Sequence, residues 1–127
     1  MKLKFFLAFL SFVVITNVQA QKNQGKCSVN VSDYGRTVTF GYLVAYYVEF
    51  KNDSKKTVDG IYFTTKFYNN EGDLISSKSE SFNSSSMVDP IATGFTKKIA
   101  RTPNIKGASK IAFVINRVHF TDGSSCE

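Results

Sequence analysis

Tryptophan is absent from this chain, histidine occurs once and cysteine twice. A lone histidine, His119, with scattered acids leaves no Ser-His-Asp, Cys-His or paired-carboxylate arrangement to assemble, so a catalytic role ranks behind the others. A base or metal ligand at His119 also needs positioned partners. Its neighbours Val118 and Phe120 instead point to an outward-facing position on a strand. The two cysteines have neither Cys-x-x-Cys spacing nor a histidine cluster beside them, which argues against a metal or redox pair. The missing tryptophan argues against an antibody-type domain. No convincing helical period occurs after residue 20. No apolar run reaches the roughly 20 residues that a membrane-spanning helix needs. Glu71 and Asp73 lack the alternating acidic spacing and closing glutamate of a calcium loop.

The first 20 residues have a different character from the rest. Lys2 and Lys4 precede an apolar run from Phe5 to Ile15, interrupted only by Ser11, and Val18-Gln19-Ala20 follows. This is the three-part layout of a secretory signal peptide, expected over residues 1–20. No cysteine directly follows the run, so a lipoprotein signal is not supported. Cleavage after Ala20 leaves residues 21–127, enough for one core and therefore one domain. The whole chain has 16 basic and 10 acidic residues; losing Lys2 and Lys4 leaves 14 against 10, a net charge of +4. That balance favours solubility and weak attraction to acidic surfaces, and is not by itself a nucleic-acid signature. An exported chain meets an oxidising compartment, where Cys27 and Cys126 are expected to pair and close nearly the whole domain into one loop.

What is abundant is alternating aromatic and β-branched sequence. From Thr37 to Lys51 the even positions Val38, Phe40, Tyr42, Val44, Tyr46, Val48 and Phe50 are all apolar or aromatic, the pattern of extended chain with one greasy face. Cys27, Val29 and Val31 form a short earlier strand, with Asp33-Tyr34-Gly35 read as a turn. Val58–Tyr68 places Ile61, Phe63, Thr65 and Phe67 on one face. Asn69–Asp73 is a hairpin turn, and Leu74-Ile75 opens a strand that becomes polar. Asn83–Ser86 is a loop, Ile91–Arg101 alternates weakly, and Lys110–Thr121 begins with a doubly apolar half, Ile111–Ile115, expected to be central and buried. The fold class predicted is all-β: a two-sheet antiparallel Ig-like β-sandwich of about seven strands.

Several of these segments carry a family resemblance. Asn52-Asp53-Ser54, Phe67-Tyr68-Asn69, Gly72-Asp73, Asp89-Pro90-Ile91 and Asp122-Gly123-Ser124 together resemble small exported bacterial domains of the FxLYD-like sort, over roughly Val44 to Ser124. The resemblance implies an Ig-like sandwich and carries over no catalytic residues. The serine-rich 76–86 segment and the terminal cysteines depart from that pattern.

The candidate binding residues are Tyr47, Tyr62 and Tyr68, which alternate with apolar faces and would form a sticky patch if exposed together. The competing reading makes their face part of a core. Two basic groups, Lys55-Lys56 and Lys97-Lys98 with Arg101, read as solvated surface, because no aromatics interleave with them as a nucleic-acid groove requires. Asn30, Asn52 and Asn83 each begin a glycosylation acceptor pattern. The function expected is that of a secreted or periplasmic, non-enzymatic module without cofactor or metal. It would recognise a protein, glycan or cell-envelope component, or serve as a structural part of the surface. The alternative is an enzyme inhibitor or toxin-like effector acting through a loop such as Asn83–Pro90.

Overall fold

The computed structural model describes residues 23–127, so the expected leader over residues 1–20 lies outside the described residues. Eight strands follow in order: β1 (Val29–Thr39), β2 (Tyr42–Asn52), β3 (Val58–Tyr68), β4 (Leu74–Asn83), β5 (Thr96–Arg101), β6 (Ile105–Lys106), β7 (Lys110–Phe120) and β8 (Ser125–Cys126). Six are long; the two-residue strands β6 and β8 take the number past the expected seven. The first sheet has the order β1-β2-β5 with β6 also on β2, and the second has the order β4-β3-β7-β8. Every pairing between these strands is antiparallel. No helix occurs among the described residues, and none there is long and apolar enough to cross a membrane.

The core lies between β2 and β3. Tyr46, Val48 and Phe50 point inward from β2, and Ile61, Phe63 and Phe67 from β3, with Phe113 and Ile115 of β7 beside them. Phe50 meets Phe63 edge-on at 5.0 Å between ring centroids, and Tyr46 reaches both Phe67 (6.1 Å) and Phe113 (5.6 Å). Such edge-on contacts add about 0.5–1.5 kcal/mol each beyond area burial. The buried first half of β7, expected from its apolar run, lies between β3 and the main chain of Gln24, and β8 pairs with the second half.

The Thr37–Lys51 stretch departs from the single strand its alternation suggested. It breaks at Phe40-Gly41, a two-residue hairpin turn with φ of 51° and 78°. The twist of antiparallel strands favours such a left-handed pair. Val38 faces Leu43 while Thr37 faces Ala45, so Val44 is an extra residue and the inward parity changes there. Leu43 is therefore buried from an odd position and Tyr46 from an even one. Asp33-Tyr34-Gly35, expected as a turn, continues β1 instead. The local irregularity is the extra residue Ser32, between the Val31–Phe50 and Asp33–Glu49 pairs.

The residues that carried the family resemblance hold turns. Asn52 is fully buried and uses its whole amide: Nδ2 donates to the carbonyls of Lys56 and Ile91, both at 2.8 Å, and Oδ1 accepts from the Ser54 N–H and hydroxyl. The acceptor pattern at Asn52 is thus closed to a glycan in the folded chain. Asn69 Oδ1 accepts the N–H groups of Glu71 (3.0 Å) and Asp73 (2.9 Å). Asp122 Oδ1 accepts the hydroxyl and N–H of Ser124, which with Lys56 hold its carboxyl well below the usual carboxylate range.

Cys27 and Cys126 are bonded, with Cα atoms 6.3 Å apart and a separation of 99 positions in sequence. The bond joins the segment entering the first sheet to β8 of the second. Beside it the main chain of Gln24 pairs in parallel with β7, through Gln24 N–H to the Phe113 carbonyl and Ile115 N–H to the Gln24 carbonyl, both at 2.9 Å.

Candidate functional site

The three tyrosines singled out from the sequence are not brought together. Tyr47 lies on the outer face of the first sheet, while Tyr62 and Tyr68 belong to β3 of the second. Tyr47 stands over Gly35, where an added Cβ would come within 2.4 Å of its ring. The Lys98 ammonium lies 4.7 Å from the ring centroid, and the hydroxyl donates to Asp33 at 3.3 Å. Tyr62 is covered by the Arg117 guanidinium at 4.1 Å and donates to Asn83. Tyr68 is buried, with 6% of its surface exposed. Alternation placed them opposite the core faces as expected, but β2 and β3 present those opposite faces to opposite sides of the sandwich.

His119 is paired with Asp59, Nδ1 to Oδ1 at 2.5 Å, at the point where Asp59 bulges out of the β3–β7 pairing. Nothing in local sequence links these residues, which are 60 positions apart. The Asn83–Pro90 loop closes on itself through the Ser85–Val88 bridge and raises Met87, 92% exposed, at its tip.

The strongest local anomaly is at the opposite end. Phe40 is 97% exposed and sits in the left-handed region, where a bulky residue is a genuine outlier. Asparagine or glycine would occupy this turn position without strain; a phenylalanine there costs on the order of 1–3 kcal/mol. The turn is nonetheless held firmly, because the Gly107 N–H donates to the Gly41 carbonyl at 2.7 Å. Exposed Val38 stands just behind Phe40, and exposed Leu74 and Ile75 reach the same end past Gly107, whose added Cβ would lie 3.8 Å from Ile75. Asn104, also left-handed, joins Phe40, Tyr42 and Val44 around a shallow depression. Sequence alternation assigns Phe40 to the core face, and the structure places it outside. The signal that could have found it was Phe40-Gly41 itself, a bulky residue before a glycine between two alternating runs.

No protein-family model matches this chain, and no curated protein matches it. Solved structures do resemble it. A DUF1425 family member from Shewanella sp. pv-4 is 12% identical at a TM-score of 0.49, covering 69% of this chain and 76% of that one. Campylobacter jejuni cj0090 is 13% identical at 0.46, covering 73% and 88%. The structural genomics target SoR45 is 8% identical at 0.42, covering 77% and 78%.

One polar cluster enters the core. The Tyr46 hydroxyl donates to Glu80 and lies 3.2 Å from the Thr65 hydroxyl. Burial, then the bond to Glu80, push the Tyr46 hydroxyl well above the ordinary tyrosine range. Glu80 reaches this cluster because it pairs opposite Phe63 and so points into the sandwich.

Proposed function

We propose that this chain is an exported, non-enzymatic recognition module that docks a protein partner at the end carrying Phe40. The observation that supports this most is an almost fully exposed aromatic ring held in a strained turn. Folding alone favours asparagine there, and strain retained at an exposed position is characteristic of functional sites. Val38, Leu74 and Ile75 would extend the apolar contact around it. The Cys27–Cys126 bond suits an oxidising compartment, and the leader-like residues 1–20 suit export to it. On the residues named for the resemblance, we place the chain beside the FxLYD-like Ig-like domains.

The test is a Phe40→Asn variant. It should fold with equal or higher melting temperature and lose the envelope protein that the wild-type chain captures in crosslinking from envelope extracts. Equal capture by both would sink the proposal. Loss of capture only on replacing Met87 with Ser would favour the second reading, an inhibitor or effector acting through the Asn83–Pro90 loop, which the exposure of Met87 supports.

A further inference from the structure

One side of the sandwich is left open, between β4 of the second sheet and β5 of the first. We infer that this open side is a slot for an extended acidic peptide, which enters as an added strand on β5. The inference goes beyond the Phe40 end and does not depend on it.

Three features converge there. The first is backbone: β4 hydrogen-bonds only to β3, and β5 only to β2, so the outer edge of each lacks a strand partner among the described residues. An extended peptide can bond to such an edge. The second is an apolar floor. Phe82 of β4 and Ile99 of β5 are buried and face each other across a cleft of about 450 Å³, with Val88 at one end.

The third is charge. On β5, Lys97 and Arg101 flank Ile99 on the inward-facing row, while Lys98 between them points to the outer face. Lys78 lies on the corresponding row of β4. None of these four cations forms an ion pair among the described residues. Lys97 rests 5.9 Å from the Phe82 ring centroid, Lys98 lies over Tyr47, and Arg101 donates to the Ala100 carbonyl at 3.0 Å. The one carboxylate on these rows, Glu80, is already taken by Tyr46 and Thr65.

Inward-pointing charge on an edge strand ordinarily repels other strands, and for an apolar or basic strand it does so here. The same cations select an acidic strand, since rejection of the wrong partner and attraction of the right one come from one set of charges. The spacing defines the preferred pattern. A strand laid along β5 brings every second side chain level with Lys97, Ile99 and Arg101. The matching residues are therefore acidic, apolar and acidic at positions i, i+2 and i+4.

The probe is the heptapeptide TETVTET, titrated into the oxidised protein and followed by amide chemical shifts and by anisotropy of a labelled copy. Saturable binding is expected, with the largest shifts on Thr96–Arg101. Affinity should fall at least tenfold for TKTVTKT and for TETVTET methylated on alternate backbone nitrogens, and should fall as salt rises from 50 to 300 mM. The double variant Lys97→Ser, Arg101→Ser should weaken binding at least tenfold with an unchanged melting temperature. The Phe40→Asn variant should bind TETVTET normally, which separates this inference from the proposed docking end. No binding at 5 mM peptide, equal binding of TKTVTKT, or indifference to backbone methylation would each overturn it. So would displacement of TETVTET by a polygalacturonate oligosaccharide of higher affinity, which would make the cleft a glycan site.

Discussion

On one side of the sandwich the Cys27–Cys126 bond, the Gln24 main chain and the edge-on contact of Tyr34 with Phe113 (5.9 Å) join the sheets. On the other side β4 and β5 face each other without a backbone bond between them. The joined side covers the edge of β7 along much of its length, with Gln24 against residues 113–115 and β8 against 118–119. The open side holds Lys97, Arg101 and Glu80 where a closed sandwich would place apolar residues. The difference teaches that covalent closure at one seam lets the other keep charged residues and free edges. A domain of this size has little stability to spare, and a cross-link spanning nearly the whole chain lies where it constrains the unfolded state most in the chain-entropy model.

Breaking the joined side should have the largest effect. The double variant Cys27→Ser, Cys126→Ser is expected to lose about 2–5 kcal/mol in chemical denaturation. Amide exchange should accelerate first at Ile115, whose N–H bonds to Gln24. Asn52→Ala comes next. Asn52 ties the Lys56 turn to Ile91, in the loop that leads into β5. Its removal takes away two hydrogen bonds, although the Ile91 carbonyl keeps the Val58 N–H and the Lys56 carbonyl keeps the Ser54 hydroxyl, and should cost about 1–3 kcal/mol by the same measurement.

Tyr46→Phe probes the polar cluster beside the open side, at an expected cost of about 1 kcal/mol near neutral pH. Its pH dependence is more informative. The raised Tyr46 pKa means that the folded protein holds this proton more tightly than the unfolded chain does. That contribution is fully present below about pH 10, the ordinary tyrosine value, and is lost as pH rises beyond it. Melting temperatures between pH 8 and 11 should therefore fall more steeply for the wild type than for Tyr46→Phe. The smallest effect belongs to Lys97→Ser with Arg101→Ser, expected within about 0.5 kcal/mol of wild type, since neither cation has an ion pair among the described residues. A large destabilisation there would mean that the open side is held together by these side chains.

Much of the strand layout could be read from alternation. Ile61, Phe63, Thr65 and Phe67 share a face as their spacing demanded, and the apolar half of β7 is central and buried. The reading failed around two inserted residues, Ser32 and Val44, where a turn was expected at Asp33-Tyr34-Gly35 and one unbroken face from Thr37 to Lys51. Ser32, Val44, Asp59, Ile75 and Asn116 are each extra in a pairing, and each exchanges inward for outward beyond it. A period of two cannot reveal such a slip, because the partner strand creates it. Phe40 was misread for a related reason: its apolar side chain fitted the pattern, while its backbone belongs to a turn. The candidate tyrosines failed at a higher level, since alternation assigns a face to each strand but not a sheet.

The sequence alone determined that this chain is made of strands, that turns fall at Asn52–Lys56, Asn69–Asp73 and Asp122-Gly123, and that its two cysteines had only each other to pair with. Those are consequences of local backbone preference, side-chain periodicity and count. Tertiary structure alone decided which strands share a sheet, which seam is closed, and that Asn52 is buried. Burial and edge exposure depend on neighbours distant in the chain, and neighbouring residues carry no record of them.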